Sequence, residues 1–322
     1  MQNCRVPRNP APADTEPYDE FAMLADNATE IGVPWSGDTP VERRDVEVTP
    51  DQVVSVLVWG DDDPDLVFLH GGGQNAHTWD TVLVAIGRPA IAIDLPGHGR
   101  SDRRDDRNYG PWFNADAVAT VVERLAPRAR AVVGMSLGGA TTIRLAATRS
   151  DLVRRAVIVD VTPQVNDPGR VLTPEQQGSV ALIGGPPTYD SFEEVVAATV
   201  ALSPKRTEAA IRRGVRHNTL RLDDGRWAWR YDLFGPRREQ PPPEHQATWA
   251  DFTALWDDVS KIDVPVLFVQ GGDSPFVLPE DRAEFEHRLP SVRWEVVAGA
   301  GHAVQSDQPL ALVDLIRDFA LR

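Results

Sequence analysis

Ala131-Val-Val-Gly-Met-Ser-Leu-Gly-Gly-Ala140 is the stretch on which the reading of the chain turns. It opens apolar and β-branched, as a buried strand does, and runs on into Thr141-Thr-Ile-Arg-Leu-Ala-Ala147, which reads as a helix. Between them lies Gly134-Met-Ser-Leu-Gly138, a G-x-S-x-G. Passing from strand to helix within a residue or two crowds the backbone. A Cβ two places either side of the serine would strike neighbouring elements, so glycine is needed there. Ser136 can then adopt a strained conformation with its hydroxyl raised above the sheet edge. The helix behind it aims backbone N–H groups at the same point, which favours developing negative charge.

Outward from this stretch, short apolar runs end in loops that carry chemistry. Leu66-Val-Phe-Leu69 leads into His70-Gly-Gly-Gly73, and Ala90-Ile-Ala-Ile93 into Asp94-Leu-Pro-Gly-His-Gly-Arg-Ser-Asp102. Ala156-Val-Ile-Val159 ends in Asp160, and Val264 to Gln270 in Gly271-Gly-Asp-Ser-Pro275. Val292 to Val297 is followed by Gly299-Ala-Gly-His302. Continuous apolarity marks strands covered on both faces, and their alternation with helices specifies a mainly parallel sheet. Ligands then bind beyond the strands' carboxyl ends, the edge shared by Gly71, Ser136, Asp160 and His302. Ahead of these runs, Arg43 to Val48 and Val53 to Trp59 read as a hairpin turning at Thr49-Pro-Asp-Gln52.

The serine turn resembles the nucleophile elbow of the α/β-hydrolase superfamily. The His70, Asp94 and His302 segments resemble further family landmarks, in family order, from about residue 41 onward. The resemblance implies an α/β fold with a mostly parallel eight-stranded sheet flanked by helices. Residues 41–162 and 261–322 would form the core, 163–260 a cap inserted after the sixth strand, and 1–40 an N-terminal arm and linker. It also implies that the backbone N–H groups of Gly72 and Leu137 form an oxyanion hole. His70, and Asp94 with His98, are read as structural rather than catalytic.

A serine hydroxyl needs a base to take its proton, and the base needs a carboxylate to hold its tautomer. Ser136 is expected as nucleophile and His302 as base. His217 and His245 fall in the inserted segment and are read as surface or packing residues. Family members commonly place the acid after the seventh strand, where this chain has Ser274, with Asp273 one residue early. A minority place it after the sixth strand, where Asp160 stands. Asp160 is favoured and Asp273 competes. Serine rather than aspartate at the elbow implies an acyl-enzyme, hence an esterase or lactonase for a small to medium apolar substrate. A carbon–carbon bond hydrolase, or a ligand-binding receptor on the same fold, is the alternative.

Composition narrows the setting. With 322 residues, 42% hydrophobic and 25% charged, the chain has the make-up of a soluble globular protein. A net charge of −15 argues against nucleic acid or an anionic membrane as partner, and the resemblance implies a small-molecule substrate. Cys4 is the single cysteine, so neither an internal disulfide nor a cysteine zinc site is expected. The acidic Asp61-Asp-Asp-Pro-Asp65 turn lacks the spacing of a calcium loop. Neither a cofactor nor a metal is expected, a homodimer is left open, and the cytoplasm is the expected compartment. Residues 1–17 read as loosely draped, and Tyr18 to Ala28 as a short helix. Within the insertion, Ser191 and Glu194 suggest a capping box and Asp224-Gly225 a hairpin turn. Trp227, Trp229 and Tyr231 alternate beyond that turn and are read as packing residues.

Overall fold

The computed structural model describes residues 8–16, 18–165, 172–232 and 251–322. Polar–apolar alternation makes β1 (Val41–Thr49) a half-exposed edge strand, paired antiparallel with the buried β2 (Gln52–Trp59). The short apolar runs become β3 (Leu66–Leu69), β4 (Ala90–Ile93), β5 (Ala131–Met135) and β6 (Ala156–Val159), every residue of them buried. β10 (Val266–Gly271) and β11 (Arg293–Val297) complete one eight-stranded sheet, ordered β1-β2-β4-β3-β5-β6-β10-β11. β2 runs antiparallel to both neighbours and all later pairs are parallel, so the expected mostly parallel sheet is present.

Helices cover both faces. α3 (Pro111–Leu125), α4 (Leu137–Thr148), α8 (Leu255–Val259) and α9 (Pro279–Arg288) lie over one. α1 (Leu24–Ile31), α2 (Asp80–Ile86), α10 (Val304–Asp307) and α11 (Pro309–Ile316) lie over the other. Phe68 packs on Trp79 beneath α2, both fully buried, and each such ring contributes about 1.5–3 kcal/mol by leaving water. Between β6 and β10 the chain leaves the sheet. It forms α5 (Pro174–Gln177), β7 (Thr188–Tyr189), α6 (Phe192–Ala201), α7 (Glu208–Asn218), β8 (Thr219–Arg221) and β9 (Trp227–Trp229). β7, β9 and β8 make a separate three-stranded sheet, and Val195, Ile211, Val215, Trp227 and Trp229 bury a small core of their own. Trp227 and Trp229 pack in that core with Tyr231 against it, Trp229 and Tyr231 also line a cavity, and the hairpin turns where Asp224-Gly225 marks it.

Local details differ from the sequence reading. The sequence reads as a helix from Asn114 to Leu125 capped by Asn114, but α3 starts at Pro111, where the ring presets φ, and Asn114 sits buried inside the helix with its amide donating to Tyr109 O at 2.9 Å. Ser191 caps α6 by accepting from Glu194 N, but the Glu194 carboxylate takes Asp190 N rather than closing the box. The first helix begins at Leu24, later than expected. The largest correction concerns the N-terminal arm, whose residues 8–16 are pinned. Arg8 makes a two-pronged pair with Asp102, and Asp14 accepts from Arg230 at 2.6 Å and from Arg216 at 3.2 Å. Those partners lie tens to hundreds of residues away in sequence, so a window of polar, proline-rich chain gives no sign of them. The expectation for residues 1–7 and 17, and for parts of the insertion including His245, lies outside the described residues.

Packing leaves no room for a side chain where α4 leaves β5. A Cβ on Gly138 would stand 2.3 Å from Leu69 O and 2.7 Å from His70 O, backbone atoms that cannot step aside. Gly138→Ala is expected to cost about 3 kcal/mol or more in chemical denaturation, or to prevent folding. Gly184→Ala, whose Cβ would meet nothing within 4 Å, is the matched control and should melt as the parent does.

Candidate active site

Ser136 is the hinge between β5 and α4, held at φ 51°, ψ −117°, a strained backbone for a residue with a side chain. Gly134 and Gly138 admit that turn, since a Cβ on Gly134 would lie 2.2 Å from Gly138 O. Ser136 N donates to Val159 O at 3.1 Å, tying the elbow to the end of β6. The next residue, Asp160, also has positive φ, 53°, and is fully buried.

Asp160 is the carboxylate that meets His302. Its Oδ2 lies 2.8 Å from His302 Nδ1, so the imidazole proton sits on Nδ1 and Nε2 carries the lone pair. Gly271 N donates to Oδ1 at 2.8 Å, and Ser274 Oγ donates to Oδ2. Phe276 stacks on the His302 ring, 4.0 Å between centroids, which limits its tilt. Asp273 turns away. Its side chain is half exposed and pairs with Lys205 Nζ at 2.5 Å. The shift of one residue places a hydroxyl, Ser274, where relatives commonly carry the acid, and that hydroxyl supports Asp160. This supporting role was missed from sequence, although the position itself stood out. A Ser136–His302 hydrogen bond is not among the contacts of the described residues. The structure therefore brings acid and base together and leaves the serine at the adjacent strand end.

The glycine loop after β3 is rigidly held. Gly71 N donates to Gln74 Oε1 at 3.0 Å, Gly73 N to His98 Nε2 at 3.2 Å, and Gly138 N to His70 O at 3.0 Å. Among the described residues, the N–H groups of Gly72 and Leu137 have no hydrogen-bond partner, while their neighbours are all engaged. His98 donates from Nδ1 to Pro96 O, and burial pushes its pKa down to about 3, so it is a neutral acceptor. His70 is likewise lowered by burial, accepts from Leu95 N and donates to Gly71 O. Both histidines shape the loop, as read from sequence.

Asp94 anchors it. Burial would raise its pKa, but the Arg43 guanidinium at 2.8 Å, with His70 and the N–H groups of Ala76 and Arg100, outweighs burial and lowers it. Beside this loop opens a cavity of about 330 Å³. Its walls include Gly72, Gly73, Ile183, Trp229, Tyr231 and Ala303. Ser136 and His302 are not among its lining residues, but Gly72 and Ala303, next in chain to His302, are.

A family model for the alpha/beta hydrolase fold matches residues 64–309. This chain belongs to that family. It is 48% identical over 300 residues to Esterase Rv0045c of Mycobacterium tuberculosis, covering 93% of this chain and 95% of that one. A solved structure of that esterase, titled for transition metal inhibition and structural refinement, superposes with a TM-score of 0.80 at 47% identity. It covers 94% of this chain and 99% of its own. The sn-1-specific diacylglycerol lipase ABHD11 of Mus musculus is 28% identical, with 80% of each chain covered. No helix among the described residues is long and apolar enough to cross a membrane.

The anchoring of Asp94 carries a pH signature. A carboxylate held below its ordinary value stabilises the fold fully above about pH 5, and that contribution fades as pH falls through the folded value. Asp94→Asn should lower stability by about 3 kcal/mol at neutral pH. The gap between variant and parent should narrow below about pH 4, read as thermal melts across pH.

Proposed function

We propose that the chain cleaves carboxylic esters of small to medium apolar substrates through an acyl-enzyme on Ser136. It is an ester-hydrolysing α/β hydrolase, as the esterase and lipase names among its relatives support. Those names do not favour a carbon–carbon bond hydrolase or a receptor. The observation that supports the proposed chemistry most is the pair of unengaged N–H groups, Gly72 and Leu137, beside a strained serine.

In this reading Ser136 Oγ attacks the ester carbonyl carbon as its proton passes to His302 Nε2. Asp160 accepts the hydrogen bond from His302 Nδ1–H throughout and stabilises the imidazolium. The carbonyl oxygen becomes an oxyanion between Gly72 N–H and Leu137 N–H, each worth about 3 kcal/mol of barrier. The alcohol leaves with the proton from His302. Water, giving its proton to His302 Nε2, then attacks the acyl carbon, and the acid departs as Ser136 regains its hydrogen. A lactone is the same bond closed in a ring and falls within the proposal.

The segment from 163 to 260 acts as a cap in this proposal, its Ile183, Trp229 and Tyr231 facing Gly72 and Gly73 across the cavity. An apolar substrate chain would sit there. A cytoplasmic setting belongs to the same reading, supported by the single cysteine. The partner would then be a small molecule rather than nucleic acid or a membrane surface.

Two experiments test this. Ser136→Ala should abolish hydrolysis of p-nitrophenyl esters and labelling by a fluorophosphonate while the protein stays folded. Labelling that persists on another serine would refute the nucleophile. Asp160→Asn should lower kcat by on the order of 10⁴, as loss of the tautomer-holding carboxylate does in the serine-protease case, whereas Asp273→Asn should retain most activity. Loss confined to Asp273→Asn would move the acid to the other strand.

A further inference from the structure

His77, Asp80 and His217 converge inside the protein, apart from Ser136, Asp160 and His302 but with both histidines on the wall of the same cavity. His77 lies in the 3₁₀ turn Ala76–Trp79 after the glycine loop, Asp80 opens α2, and His217 ends α7. All three are buried, and one ligand atom from each lies within 4.8 Å of the others. His77 Nδ1 is 2.9 Å from Asp80 Oδ2, and His217 Nε2 is 3.8 Å from the same oxygen. Two of the donor atoms are unengaged: His217 Nε2 and Asp80 Oδ1 are buried with no hydrogen-bond partner. A buried nitrogen lone pair and a buried carboxylate oxygen left open beside each other lose solvation with nothing in return. A bound cation would satisfy both.

The far sides of the ligands are braced as metal-bound histidines usually are. Glu20 Oε2 lies 3.1 Å from His77 Nε2, so that nitrogen donates outward, and Nδ1, which now faces Asp80 Oδ2 at 2.9 Å, would give up its proton on ligating a cation. Tyr18 Oη stands 3.2 Å from His217 Nδ1 and fixes that ring the same way. Asn75 Nδ2 holds the backbone of His217 at 2.9 Å. Two imidazoles and one carboxylate are a donor set for late first-row divalent ions, zinc foremost. Both histidines line the cavity, which provides a way in.

We propose that His77, Asp80 and His217 form a binding site for one late first-row divalent cation, Zn²⁺ being the probe. The imidazoles are stacked, 3.8 Å apart and 11° from parallel, so ligation turns one ring out of the stack. The nearby Arg43 guanidinium, 3.4 Å from His77 Nε2, is already paired with Glu20 and Asp94, which limits its opposition to a cation. Sequence spacing does not suggest the site, since His217 comes from a different part of the chain. An occupied site would clamp α7, from the inserted segment, to α2 and to Tyr18 and Glu20 of the arm. The inference is independent of the proposed ester chemistry.

Titration calorimetry of the full-length, chelator-treated protein with ZnCl₂ tests it. One Zn²⁺ per chain is expected, with a higher Tm when it is bound. His217→Gln and Asp80→Asn should each weaken binding at least about tenfold and remove the Tm rise, their folds checked by circular dichroism. Glu20→Gln, which meets His77 only at its far nitrogen and also pairs with Arg43, should weaken it by about tenfold. His302→Gln and the exposed His287→Gln should bind as the parent does. No saturable binding by the parent would overturn the proposal, and so would binding lost in His302→Gln but kept in His217→Gln. Anomalous diffraction from Zn²⁺-soaked crystals needs no variant: a peak between the three residues supports the site, and a peak only elsewhere refutes it.

Discussion

The rest of the structure depends on how closely α4 approaches the ends of β3 and β5. Gly134 and Gly138 face each other and the Leu69–His70 backbone at distances no side chain could tolerate. That contact turns the chain sharply enough to leave Ser136 in a strained, raised position. It also brings the loop after β3 alongside, through Gly138 N donating to His70 O. Gly72 and Leu137, whose N–H groups have no partner among the described residues, lie on those two elements. The strain at Ser136 persists because the parallel strands on either side over-determine it.

A second layer of buried polar contacts fixes what the elbow leaves free. Asp94, reached by Arg43 and by backbone N–H groups, sets the glycine loop, and neutral His70 and His98 occupy its other donors and acceptors. Asp160 is treated in the same way by Gly271, Ser274 and His302. These two buried carboxylates are surrounded by donors, as removal from water requires. The arm and the inserted segment join this network through Glu20 on Arg43 and Asp14 on Arg230.

What the sequence by itself determined was local and periodic. Apolar runs of four to six residues located the buried strands, and the glycines around Ser136 declared a turn whose sterics admit nothing larger. The loops at the strand ends placed Ser136, Asp160 and His302 at one edge, and the family resemblance added Gly72. Only the tertiary structure decided which carboxylate reaches His302. Asp160 and Asp273 sit at the ends of neighbouring strands, and the outcome depends on a turn that aims one inward and the other at Lys205. The same holds for the arm pinned by Arg216 and Arg230, and for His77 meeting His217. Those contacts join residues more than a hundred positions apart, and pairing at that distance is set by how the layers pack. No period or spacing along the chain records it.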